Sequence, residues 1–197
     1  MIAYIKGTLS VKTPAFVILE TAGGIGYHIN TSLHTHEKLP TAGTNNCKLY
    51  CHLHIKEDAH TLYGFFEESE RDLFVQLISV SGVGPSTAQM MLSSLSPAEI
   101  QQAIVSNNSD LLKTVKGIGI KTAQLIVLQL KDKLGKLSLN LSESTTSHNN
   151  ISTEALNALL ALGIGKPMAQ KALDKVLKSD PNITTVEDLI KKVLKSL

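Results

Sequence analysis

Apolar and polar positions alternate over the first third of the chain. Ile2, Tyr4 and the AYIKGTL run come first, then FVILE at 16–20, GYHIN at 26–30, KLYCHLHI at 48–55 and TLYGF at 61–65. A period of two rich in β-branched and aromatic residues predicts five strands, parted by Gly23-Gly24, by Pro40 to Asn46 and by the KEDAH turn. A small antiparallel barrel over residues 1–66 is the economical way to bury them.

From Glu68 the period becomes helical, with Leu73, Phe74, Leu77 and Ile78 on one stripe. Ser96-Pro97-Ala98-Glu99 has the form of a capping box with Pro at the first helical position, opening a helix through Ile104. Leu111, Leu112 and Val115 predict a short helix, and another runs from about Ile120 to a stop at Gly135. An all-helical domain therefore spans 67–140. Residues 141–150, LSESTTSHNN, offer little to bury and predict a linker, whose ten residues span roughly 17 to 19 Å if flexible. A third domain follows at 151–197. Ser152 is its expected first N-cap, Pro167 opens a second helix, and Thr184-Thr185-Val186-Glu187 caps a third.

One phrase occurs twice. SGVGPSTAQ at 81–89 returns as KGIGIKTAQ at 116–124, with Gly, Gly, Thr, Ala and Gln in the same places. Each copy lies between two predicted helices. The glycines permit a positive φ and close backbone approach, and the helix behind them exposes unpaired amides where its dipole favours negative charge. Such a turn can hold a phosphate oxygen. The plain alternative is a helix-helix turn with a glycine stop. Two copies in one compact unit can grip two backbone segments of a duplex without reading bases. The segment Gly119-Ile120-Lys121-Thr122 is not a nucleotide loop, because Ile120 stands where the glycine before the lysine is needed.

Charge adds little. The chain has 19 basic and 17 acidic residues, and no segment forms a basic tail, so polyanion binding has to come from local geometry. No apolar run approaches the ~20 residues of a membrane span, which predicts a cytoplasmic protein without a membrane partner. Cys47 and Cys51 lie ~13 Å apart if on one strand, beyond disulfide reach, and are expected as free thiols. His52 and His54 lack zinc-ligand spacing, so no metal is expected.

Val80 to Pro85, Lys116 to Ala123, the HIKEDAHTLYGF run at 54–65, the opening MIAYIKG and the LLALGIGKPMAQKAL run together resemble the RuvA family of Holliday-junction-binding proteins, in order and over the whole chain. The resemblance implies an N-terminal OB-like β-barrel, a middle tandem helix-hairpin-helix domain and a C-terminal three-helix bundle of ubiquitin-associated type. It implies a homotetramer or octamer on four-way junction DNA, the RuvB ATPase as motor partner and RuvC resolvase as a further one. No catalytic site and no cofactor are expected in this chain, since ATP and Mg would be used by the motor.

By the same resemblance the DNA backbone would meet Gly82, Val83, Gly84, Pro85, Ser86, Thr87 and Ala88 in the first hairpin. In the second it would meet Gly117, Ile118, Gly119, Ile120, Lys121 and Thr122. Glu57 and Asp58 would form an acidic pin, with Lys56 near a phosphate. Leu162, Gly163, Ile164, Met168 and Leu173 would face the motor. Ser86 and Ile120 depart from the family pattern by replacing lysines. Two other classes remain to be separated from this one. A base-excision glycosylase uses a similar turn with a catalytic Lys or Asp, for which Asp132 is the candidate. A single-strand-binding barrel would stack bases on Tyr4, Tyr27, Tyr50 and Tyr63.

Overall fold

The computed structural model describes residues 2–142, 147–180, 183 and 185–196. They fall into two compact units, Met1–Lys136 and Leu137–Leu197.

Five strands open the first unit: β1 (Tyr4–Lys12), β2 (Phe16–Glu20), β3 (Gly26–Thr31), β4 (Cys47–Ile55) and β5 (His60–Phe65). They close in the order β1-β2-β3-β5-β4. The expected all-antiparallel barrel needs one correction, because β3 and β5 pair in parallel, with Ile29 opposite Leu62 and Thr31 opposite Gly64. A parallel pair needs a long crossover, and here it includes β4 and a helix that the sequence pattern did not announce, α1 (Leu33–Lys38). Alternation sends Ile5, Leu9, Val17, Leu19, Ile29 and Leu49 inward. Cys47 and Cys51 share that inner side and are free, and burial pushes the Cys51 thiol up to about 11. Gly64 also faces the lumen. A Cβ there would lie 2.4 Å from a methyl of Ile29, so the close β3–β5 approach requires glycine.

The outer side of β5 is no solvent face. Tyr63 and Phe65 pack on Phe74 of α2 (Glu68–Ile78), at ring-centroid distances of 5.0 and 4.9 Å. This aromatic joint begins a second core that continues through α3 (Pro85–Ser94), α4 (Pro97–Val105), α5 (Ser109–Leu112) and α6 (Ile120–Ser142). The capping box is present in full, since Ser96 Oγ accepts from the Glu99 amide and the Glu99 carboxylate accepts from the Ser96 amide.

A polar clamp lies beside the aromatic joint. Glu70 of α2 is buried, and its carboxylate accepts from Ser32 Oγ at 2.6 Å and from Thr35 Oγ1 at 2.8 Å. The two hydroxyls in turn accept backbone N–H groups, Ser32 from Thr35 and Thr35 from Phe66. Each hydroxyl is thus both donor and acceptor, which satisfies the buried groups. Gln89 Nε2 donates to Thr31 O at 2.7 Å, and Ser93 Oγ accepts from the Leu33 amide. The barrel, α2 and α3 are tied by these bonds into one body.

The helix expected to stop at Gly135 instead continues to Ser142. One glycine inside a helix costs about 1 kcal/mol, too little by itself to end a helical segment. Of the expected linker, residues 143–146 lie outside the described residues, while 147–150 begin α7 (Ser147–Ala161). Ser152 is therefore inside a helix and not at its cap. The second unit adds α8 (Lys166–Ser179) and α9 (Val186–Ser196), packed around Leu159, Ala169, Leu173, Val176, Leu189 and Val193. Thr185 caps α9 by accepting from the Asp188 amide, one position later than the sequence suggests. Thr184 lies outside the described residues. Among the described residues no helix is long and apolar enough to cross a membrane.

Removing the Glu70 side chain leaves two buried hydroxyls short of an acceptor. Glu70→Ala is expected to lower stability by about 2 to 4 kcal/mol, read as a reduced urea midpoint. Burial raises the Glu70 pKa above its ordinary 4.5, against the two hydroxyl bonds that lower it. The folded chain then holds this proton more tightly than the unfolded one, so the contribution is favourable at low pH and is lost as pH rises from 4.5 through the folded value. In Glu70→Gln that pH-dependent loss should be missing from unfolding curves measured across the window.

Candidate nucleic-acid interface

The two copies of the repeated phrase fold alike. Between α2 and α3, Gly82 adopts φ +84°; between α5 and α6, Gly117 adopts φ +92°. The next residue turns inward in both, Val83 and Ile118 being buried. Their amides close the turns, Val83 N–H to Val80 O at 3.0 Å and Ile118 N–H to Val115 O at 3.1 Å. Ala88 and Ala123 are fully buried, and their N–H groups make the first helical bonds back to Gly84 O and Gly119 O, both at 2.9 Å.

The amides of Val83, Ala88 and Ile118 already have partners inside the protein, so these residues hold the turn and do not donate outward. What faces solvent is Gly82, Gly84 and Ser86 in one copy and Gly117, Gly119, Ile120 and Lys121 in the other. Ahead of the first helical bond lie the amides of Ser86 and Thr87, and of Ile120, Lys121 and Thr122. Pro85 contributes shape and no donor. No side chain caps α3 at Gly84. Each turn therefore presents backbone donors at the positive end of a helix dipole.

Burial raises the Tyr63 pKa, and the nearby Ser86 side chain draws it back. Ile120 is 62% exposed, an apolar side chain at the mouth of the second turn. Lys121 is exposed beside it.

Glu57 and Asp58 sit at the β4–β5 tip, both exposed, in a turn closed by Lys56 N–H to Ala59 O at 2.8 Å. Lys56 is exposed at its base. At the other end of the hairpin stem, His52 packs on Phe74 with ring centroids 5.6 Å apart. Burial first, and then His54 and Arg71, push its pKa down. Among the described residues no cluster of His, Cys, Asp or Glu is arranged for a metal ion.

Family models match the chain in three consecutive pieces. Residues 1–64 match the RuvA N terminal domain, 74–132 a SAM-like helix-hairpin-helix tandem, and 150–197 the RuvA C-terminal domain. A protein of Christiangramia forsetii is 49% identical over 197 residues, covering all of both chains, and one of Cytophaga hutchinsonii is 48% identical over 200 residues, covering 99% of each. Both are named Holliday junction branch migration complex subunit RuvA. The chain belongs to the RuvA family.

The C-terminal piece of this RuvA-family chain repeats the turn once more. Gly163 has φ +86°, Ile164 is half-buried, Gly165 caps α8, and Ala169 is fully buried and bonds back to Gly165 O at 3.0 Å. Of the expected motor-facing residues, Leu162 is 63% and Met168 55% exposed. Leu173 is corrected, since it is fully buried against α7 and α9 residues and holds the bundle together. Sequence reasoning missed Glu70, Gln89 and Ser93, which fasten the hairpins to the barrel. The shared Gln of the repeat pointed at Gln89, but its partner is 58 residues away.

At Gly82 an added Cβ meets nothing within 4 Å, so only the positive φ opposes it. Gly82→Ala is expected to cost about 1 to 2 kcal/mol of stability. Gly84, at φ −84° and equally unobstructed, should cost only about 0.5 kcal/mol as an N-cap Gly→Ala change. Paired urea titrations of the two variants check the difference.

Proposed function

We propose that this chain is the junction-binding, non-catalytic subunit of an ATP-driven branch-migration complex. Four copies, or two stacked sets of four, hold a four-way DNA junction open and nearly square. The observation that carries this reading is the pair of matching turns, each with outward amides at a helix start, in one body with an exposed acidic hairpin tip. The relatives' printed names support the junction as the target.

The chemistry follows from charge. Backbone amides and Lys121 meet phosphates of the arms, and such contacts are indifferent to base sequence. Glu57 and Asp58, brought together in four copies at the crossover, repel phosphates there and favour strand separation. They lower affinity and set geometry. The protein itself needs no cofactor, while the RuvB motor uses ATP and Mg. The C-terminal unit meets that motor through exposed Leu162 and Met168 with Gly163 and Ile164, RuvC being a second partner, in the cytoplasm.

Light scattering with and without a synthetic four-way junction tests the assembly. A fourfold or eightfold mass that retains the junction, in preference to linear duplex of the same sequence, is expected; a monomer indifferent to DNA shape would overturn the proposal. Lys121→Ala should weaken junction binding equally for all sequences and reduce the slope of log K against log salt by about 0.9 per copy engaged. A salt titration by fluorescence anisotropy reads that slope.

A further inference from the structure

On the outer side of the barrel α2 packs along β5 and, through Phe74 against His52, on the far part of β4. Where β1 pairs with β4, two residue pairs stand opposite each other and face away from the lumen, Tyr4 with Tyr50 and Lys6 with Lys48. Lys48 Nζ lies 4.5 Å from the Tyr4 ring centroid and 4.2 Å from that of Tyr50, held between the two π-faces. Tyr4 is 55% exposed. A groove of about 610 Å³ runs alongside, lined among others by Pro40, Lys48, half-buried Tyr50 and Phe66, whose ring is exposed.

Beyond the contact of Lys48 with the two rings, two features of this patch favour an occupant. Like charges directly opposite on neighbouring strands destabilise a sheet, yet Lys6 and Lys48 face each other, and among the described residues neither forms an ion pair with a carboxylate. Large rings left in solvent forgo the burial that makes an aromatic residue stabilising. Both features fit an occupant that is anionic and has flat apolar faces. Single-stranded DNA carries both along its length, whereas a duplex keeps its base faces stacked inside and offers the rings nothing.

We propose that the outer face of β1 and β4 is a second DNA-binding surface, in which Lys6 and Lys48 take phosphates of an unpaired strand while Tyr4, Tyr50 and Phe66 stack on its bases. The surface is separate from the two glycine turns and does not depend on the junction reading. Tyr27 and Tyr63 take no part, being packed against the barrel core and against Phe74 respectively.

The test uses the full-length protein and a labelled dT oligonucleotide, with anisotropy read at one low salt concentration. Tyr4→Leu should weaken dT binding about tenfold, a size typical of losing one stacked base, and Lys48→Gln should weaken it as well by removing a phosphate contact. Tyr4→Phe and Lys48→Arg should keep most of it. Four-way junction binding should change less than twofold in all four variants. The proposal is overturned if the wild type does not bind dT, if Tyr4→Leu binds it as the wild type does, or if Tyr4→Leu and Lys48→Gln lower the mass in light scattering, since the face would then be covered by a second copy. Thermal melting of each variant separates loss of binding from loss of fold. A junction that goes unbound while dT binding responds as expected would sink the junction reading and leave this one standing.

Discussion

The buried carboxylate of Glu70 is the constraint on which the first unit turns. It reaches out of α2 into a pair of hydroxyls flanking the start of α1, and each hydroxyl is also tied to the backbone. A carboxylate without these donors would be costly to bury, and hydroxyls without the carboxylate would be left short. The aromatic joint beside it is non-directional and would tolerate α2 sliding along β5. The hydrogen bonds do not tolerate sliding, because their donors and acceptors match at one position only. Together they set where the acidic hairpin tip lies relative to the two glycine turns.

Within the repeated phrase, alternate positions carry different duties. Val83 and Ala88, with their counterparts Ile118 and Ala123, are core residues, so their apolar size is set by packing. The glycines, with Ser86 in one copy and Ile120 and Lys121 in the other, face outward, where packing demands nothing. That division explains why Pro85-Ser86 and Ile120-Lys121 differ between copies while the Ala is kept. It also explains how the same turn serves in the second unit, with Lys166-Pro167 in the variable place.

Much of this was legible from the chain alone. Four of the five strands lie within a residue of the alternating runs and β1 extends three residues past Leu9, because an alternating pattern has only one side that can be buried. The glycine turns were readable because positive φ restricts the residue type so severely. Other features were hidden for physical reasons. Helix α1 is six residues long with two histidines and one fully buried side chain, too short for a period to show. The Glu70 partners are 35 and 38 residues distant, and a glutamate on a helix otherwise rich in charge reads as solvated. Gly135 resembled a helix end because propensity is a local signal, and the segment around it outweighs one unfavourable residue. Leu173 shares its helix with exposed Met168, and only the bundle's packing separates the two.

The parallel pairing of β3 with β5 bears on how the chain acquires its shape. Every other strand pair joins neighbours in sequence or the first strand to the fourth, but closure at Ile29–Leu62 joins strands that are separated in the chain by α1 and β4. Helical hairpins, built on local contacts, assemble faster than sheets that depend on distant ones. During synthesis, however, the barrel strands emerge first. The nascent chain therefore holds an unclosed sheet with a free β3 edge until Phe74 and Glu70 arrive to fasten β5, which makes the barrel's last seam, and not its hydrophobic interior, the step most open to misassociation.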